Sequence, residues 1–114
     1  MNAVELLESM HKKPALYWGG GEHPFTSWIA FTSGYAIGYD MAKADGAITP
    51  EELVPRDFHR FVTERFGETF PAGGRGWMSF IREHTSSEQE AFDLFFKLRA
   101  EYDTRAGGSA QPNG

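Results

Sequence analysis

The chain has no cysteine. That excludes a disulfide framework and any thiolate metal centre, and it fits a reducing, cytoplasmic compartment, the location expected here. Basic charge is also short: 11 Lys and Arg face 16 Asp and Glu, a formal net charge of −5. A general nucleic-acid binder needs a basic face, so no nucleic-acid partner is expected. Long apolar runs are missing too. No stretch approaches the roughly 20 apolar residues that cross a bilayer. Met1–Lys13 also lacks a basic start followed by an apolar run, so neither a membrane partner nor a secretory signal is expected.

What the chain has in quantity is rings. Ten Phe, four Tyr and three Trp make 15% of its 114 residues aromatic. Large rings bury much area each, so one short domain can close a core with them. The expected organisation is one helical domain over 1–104 and a flexible tail over 105–114, where Gly, Ser, Pro and Asn collect.

Helical periodicity recurs along the chain. A first helix is expected from Asn2 to about His11, with Val4, Leu7 and Met10 or His11 on one face and Pro14 as its stop. The connector Pro14–Pro24 holds Gly19, Gly20 and Gly21 and is read as non-helical. The longest helix is expected over about Thr26–Ala44, ended by Asp45-Gly46, with Trp28, Phe31 or Thr32, Tyr35, Tyr39 and Ala42 in step. Gly34 and Gly38 lie on a neighbouring face; each is unfavourable by roughly 1 kcal/mol inside a helix, which points to another helix or ring packed tightly there. Thr49-Pro50-Glu51-Glu52 is a capping signature opening a short turn. A helix over about Arg56–Phe66 follows, with Phe58, Phe61, Val62 and Phe66 in one stripe and Gly67 as its cap. After the loop 68–76, Trp77, Phe80, Ile81 and His84 mark a short helix. Ser87 and Glu90 open the last one, Glu88 to about Asp103, with Ala91, Phe92, Phe95, Leu98 and Tyr102 on its ring-rich face. No sustained strand alternation occurs. The expected fold class is all-α, an orthogonal bundle of four to five helices, with a hairpin hidden in 15–24 or 68–76 as the alternative.

Catalytic signatures are scarce. His11, His23, His59 and His84 form no His-Glu-x-x-His or other close pair, so no metal and no cofactor is expected. Ser33 and Ser79 lack the glycine-flanked elbow of hydrolases, and Gly19-Gly20-Gly21 is not followed by Gly-Lys-Ser/Thr as a phosphate loop would be. No catalytic residue is assigned, and the chain is read as no enzyme. Two surfaces remain. Glu88, Glu90, Asp93 and Glu101, with Glu83 and Asp103, outnumber Lys97 and Arg99 between 83 and 103. They form either a solvated helix face or a recognition face for a basic partner. Tyr17 and Trp18, beside Glu22 and His23 in the glycine-rich connector, are either core plugs or interface anchors.

One ordered set of motifs runs nearly the length of the domain: Lys13-Pro14-x-x-Tyr17-x-Gly19-Gly20, the aromatic segment Phe31–Tyr35, Phe58-x-x-Phe61-Val62, Gly76-Trp77-x-x-x-Ile81, and Glu88-x-Glu90-Ala91-Phe92-x-x-Phe95-Phe96-x-Leu98. It resembles small bacterial helical proteins with an N-terminal Arg/Lys-Pro-x-x-Tyr-x-Gly motif. Some of these resemble immunity proteins of polymorphic-toxin and contact-dependent growth inhibition systems. Lys13 and Leu16 stand where that pattern usually has Arg and Met. The resemblance implies stoichiometric binding of a cognate toxin domain, which a cationic surface would suit, by Tyr17, Trp18, Glu22, His23, Glu88, Glu90, Asp93 and Glu101. Two alternatives stand beside it: a structural or regulatory homodimer built on the Gly34/Gly38 face, and a small-ligand binder or enzyme using the 17–23 loop with His59. Monomer and homodimer both remain open.

Overall fold

The computed structural model describes residues 2–42, 46–71, 73 and 75–110. Among these residues the fold is an all-α bundle without strands; residues 15–18 are helical, so the hairpin alternative does not hold at 15–24, while 68–76 lies partly outside the described residues. Its helices are α1 (Ala3–Lys12), α2 (Ala15–Trp18), α3 (Pro24–Ala42), α4 (Pro50–Leu53), α5 (Phe58–Arg65), α6 (Trp77–Glu83) and α7 (Glu88–Ala110). Two are single turns that the periodicity resolves poorly.

Local chemistry explains most boundaries. Asn2 caps α1: its carboxamide oxygen accepts from the Glu5 N–H at 2.8 Å, and the Glu5 carboxylate accepts from the Asn2 N–H at 2.8 Å. Thr49 and Glu52 make the same reciprocal pair at α4, with Pro50 at the first helical position. The Ser87 hydroxyl accepts from the Glu90 N–H at 3.1 Å, the expected first half of a box. The Glu90 carboxylate turns instead to the Ser86 N–H and hydroxyl.

The connector departs from expectation. Pro14 stops α1, but its φ of −59° also starts a new turn, so Ala15–Trp18 is helical and swings Tyr17 and Trp18 inward. Gly19, at φ 78°, ends that turn in a conformation an L side chain resists. At the other end of the chain α7 continues to Ala110, past the expected stop near Asp103. Residues 43–45, in the expected end of the long helix, and 111–114 lie outside the described residues.

The core is a ring assembly. Phe25 and Trp28 of α3, Phe58 of α5, Phe80 of α6, and Phe92 and Phe95 of α7 are all but fully buried, with Met10, Leu53, Val62, Ile81 and Leu98 among them. Phe95 meets Trp28 at 5.0 Å, Trp77 at 5.1 Å and Phe58 at 5.5 Å between ring centroids, so one side chain touches three other helices. The indole N–H of Trp28 has no hydrogen-bond acceptor among the described residues; packing alone holds that ring. Val4, placed by its period on the core face of α1, is instead 55% exposed, and Leu7 and Met10 carry the burial.

Two polar devices lock the bundle. Arg99, 7% exposed, donates from Nε to the Leu53 carbonyl at 3.1 Å and from Nη2 to the Glu52 carbonyl at 2.6 Å, and it pairs with Asp103. Those carbonyls are the orphan acceptors of the single-turn α4, so a guanidinium from α7 closes a helix too short to close itself. The second device is the imidazole of His59, whose Nδ1 accepts from the Trp77 N–H at 3.1 Å and caps α6. Gly76 is required there, because a Cβ would sit 2.9 Å from that ring. Replacing Arg99 by Ala leaves buried carbonyls unmet. Chemical denaturation is expected to show a loss of about 2–4 kcal/mol, with Arg99→Lys recovering only part of it, since one ammonium cannot serve two carbonyls in the fork geometry.

Candidate functional site

The acidic positions of α7 are brought close to cations and donors of the same chain. Asp93 accepts from Nε2 of His11 at 2.8 Å and from Gln89 at 3.0 Å. Glu101 holds Arg65 at 2.8 Å, and this pairing raises the guanidinium's pKa. Glu90 sits on Ser86, whose hydroxyl and N–H hold its carboxyl below the usual range.

Glu88 is the most deeply engaged, its side chain only 18% exposed. One of its oxygens accepts from the Thr26 N–H at 2.8 Å; the other accepts from the Thr26 hydroxyl at 3.1 Å and from Arg82 at 2.8 Å. Thr26 lies in the first turn of α3, so a carboxylate from α7 caps another helix where the dipole favours negative charge. Arg82, from the last turn of α6, also lies over the Phe25 ring at 4.9 Å. The residue expected to meet a partner thus ties α3, α6 and α7 together.

The connector behaves differently. Tyr17 is half-buried, its hydroxyl 2.7 Å from the Ser9 hydroxyl. Trp18 packs against Trp28 at 6.3 Å, Phe31 at 5.7 Å and Phe92 at 5.9 Å, and it too stays partly open to solvent. Each ring therefore packs against the core while staying partly exposed. Glu22 and His23 are exposed and make no side-chain hydrogen bond or ion pair with other described residues. Beside them Leu16 is 72% exposed, the most exposed large apolar side chain described. Sequence reasoning passed over Leu16 because a lone Leu in a connector carries no periodic signal.

The outer face of α3 also departs from expectation. From Pro24 to Tyr39 it has no charged residue, yet Ala30, Ser33, Gly34, Ile37 and Gly38 are exposed, Ile37 by 64%. Among the described residues, nothing outside the helix's own local backbone comes within 4 Å of a Cβ built at Gly34 or Gly38. The tight packing expected at these glycines is therefore not made among the described residues. An amphipathic helix of a monomer ordinarily shows a charged outer face; the missing charge was the available signal.

Three surface hollows accompany these features. One, of about 270 Å³, lies between Ile29, Ser33 and Ala36 of α3, the α4 turn and Met78 of α6. Another, of about 280 Å³, lies between α1 and α7 around Val4, His11, Phe96 and Asp103. The third, of about 260 Å³, surrounds Arg82, Ser87 and Glu88. None is lined by Tyr17, Trp18, His23 or His59, the residues a ligand-binding reading of the connector requires. His59 instead caps α6. Among the described residues no group of three or more His, Asp or Glu could hold a metal ion, and no helix is long and apolar enough to cross a membrane. The chain matches no protein-family model, no curated protein and no solved structure.

The Glu88 site has a pH signature. Burial works against the carboxylate, but Arg82 and the N–H and hydroxyl of Thr26 together outweigh it and hold its pKa below the usual carboxylate range. A carboxylate lowered in the folded state stabilises above its unfolded range, near 4.3, and loses that contribution as pH falls through the folded value. The difference in urea midpoint between the native chain and Glu88→Gln is therefore expected to be widest near pH 6–7 and to shrink below about pH 4. A difference that stays constant over that range would remove Glu88 as the acid-sensitive tie.

Proposed function

We propose that this chain is a non-catalytic protein-binding domain that neutralises a cognate toxin domain by stoichiometric occlusion, and that the Leu16–His23 segment is its contact surface. The observation that carries the proposal is the contrast between the two candidate surfaces. Glu88, Glu90, Asp93 and Glu101 all have partners within the chain. The connector instead combines an exposed Leu16, partly exposed Tyr17 and Trp18, and Glu22 and His23, which have no side-chain partner among the described residues. Rigid aromatic anchors set in a core and surrounded by a polar rim are what tight protein interfaces are built from. The resemblance of the Lys13–Gly20 motif to toxin-immunity proteins supports the toxin as that partner.

The test starts from the gene. If the chain is encoded next to a large secreted protein, that protein's C-terminal domain is the probe, and a complex of one-to-one stoichiometry is expected. Leu16→Asp should weaken capture by at least about tenfold, the scale of a hot-spot residue, while leaving the thermal midpoint close to that of the native chain. Glu90→Gln and Asp93→Asn should weaken it far less. The opposite ranking would move the interface to α7.

A second reading, a homodimer through α3, is favoured by the uncharged exposed face at Ala30, Gly34, Ile37 and Gly38. Small residues let two helix backbones approach closely. Light scattering behind size exclusion separates the two readings: a dimer that Ile37→Glu converts to monomer supports α3 as the interface, and a native monomer at high micromolar concentration ends that reading.

A further inference from the structure

The charge of the chain is unevenly placed. Residues 1–55 hold three Lys against seven Asp and Glu, whereas residues 56–114 hold eight Lys and Arg, including every arginine, against nine. Most of the net charge of −5 therefore belongs to the first half. The structure sharpens this contrast. All nine carboxylates of the second half have a partner: Asp57 takes the Tyr102 hydroxyl, Glu64 Arg60, Glu68 and Glu83 Arg75, Glu88 Arg82, Glu90 Ser86, Asp93 His11, Glu101 Arg65 and Asp103 Arg99. In the first half, Glu5 and Glu52 are used in caps and Glu51 pairs with Arg56, which leaves Glu8, Glu22 and Asp40 unpaired among the described residues.

The rings divide by whether a cation of the chain lies over them. Phe25, Phe61, Phe66, Phe70, Phe80 and Tyr102 each lie under an arginine of the chain, with guanidinium carbons 4.3–5.9 Å from the ring centroids. Along the connector and α3, a second set forms a continuous half-exposed row. Tyr17 and Trp18 meet Phe31 at 6.4 and 5.7 Å, Phe31 stacks on Tyr35 at 6.3 Å, and Tyr35 meets Tyr39 at 6.4 Å. No cation of the chain lies over any of these five among the described residues. The unpaired Glu22 follows Trp18 in the same connector, and the unpaired Asp40 follows Tyr39 on α3.

We infer that this row is a binding track for an arginine-rich segment of a protein partner, whose guanidinium groups supply the cation–π contacts that the chain's own arginines make elsewhere. A guanidinium is planar and weakly hydrated and stacks on ring faces better than an ammonium does. Glu22 and Asp40 meet the remaining charge near the two ends of the row. The inference deepens the proposed function by naming the chemistry of the partner surface, and it rests on the connector being the contact surface.

The experiment uses the whole chain and two peptides, nona-arginine and nona-lysine, titrated by calorimetry at about 0.15 M salt, where exposed charges are well screened. Nona-arginine is expected to bind about three- to tenfold more tightly than nona-lysine. Tyr39→Leu, which keeps the net charge and alters a half-exposed ring at the far end of the row, should weaken nona-arginine about threefold and leave nona-lysine unchanged. Glu22→Gln with Asp40→Asn should weaken both peptides. Equal affinities that Tyr39→Leu does not change would overturn the inference and leave only the acidic charge of the first half. A dimer that leaves nona-arginine unbound would overturn it too, and would assign the row to a second copy of the chain. Capture of a toxin domain that remains sensitive to Leu16→Asp while both peptides bind alike would keep the proposed function and remove the arginine track.

Discussion

Phe95 has to meet Trp28, Phe58 and Trp77 at once, and the geometry of the bundle follows from that requirement. These four rings come from α7, α3, α5 and α6, and each is almost wholly removed from water. Centroid spacings of 5.0–5.5 Å with inclined planes are the edge-on and tilted contacts that aromatic quadrupoles prefer. A helix can rotate or slide only by breaking several such contacts together. Five of the seven helices have ten residues or fewer, and two of those are single turns, so little of their stability comes from propensity. Tertiary ring packing is what makes them helices at all.

A core of rings creates a rim problem, because the outer rings are too large to bury completely. In the second half of the chain the solution is arginine. Arg75 lies over Phe80 while pairing with Glu68 and Glu83, and Arg82 lies over Phe25 while pairing with Glu88. Each cation covers apolar ring surface with its stem and face, and each carboxylate neutralises the cation. The same economy consumes the acidic residues of α7, which is why their number in sequence overstates the charge they offer a partner. Arg99 extends the device inward by serving the carbonyls of α4.

What was readable in the sequence was local. The capping pair at Thr49 and Glu52, the Ser87 cap, and the ring stripes of Phe58–Phe66 and Ala91–Tyr102 each depend on residues within a few positions of one another, and the all-α fold follows from them. Ala15–Trp18 was hidden because a proline that stops one helix is also well shaped to start the next. Glu88 looked like a free surface acid because its partner Thr26 lies 62 residues away, and no spacing rule reports such a pair. Gly34 and Gly38 marked a close approach in principle, but a sequence cannot say whether the approaching group belongs to the same chain.

The unmatched half of the molecule then has a physical logic of its own. Trp18 is held by Trp28 and Phe92, and Phe31 by Trp28, so these rings of the row are fixed before anything binds. Ordering flexible side chains at an interface is unfavourable by about 0.5–1.5 kcal/mol each, and here the folding of the core has already met that cost for the rings. The connector adds exposed glycines, which let a partner's backbone come close, and Gly19 is fixed at positive φ by the end of α2. A rigid aromatic track with, among the described residues, unpaired carboxylates near its ends and no cation over its rings amounts to one half of a complementary surface. On the proposed reading, the other half is positively charged, stacks on rings and comes from a partner.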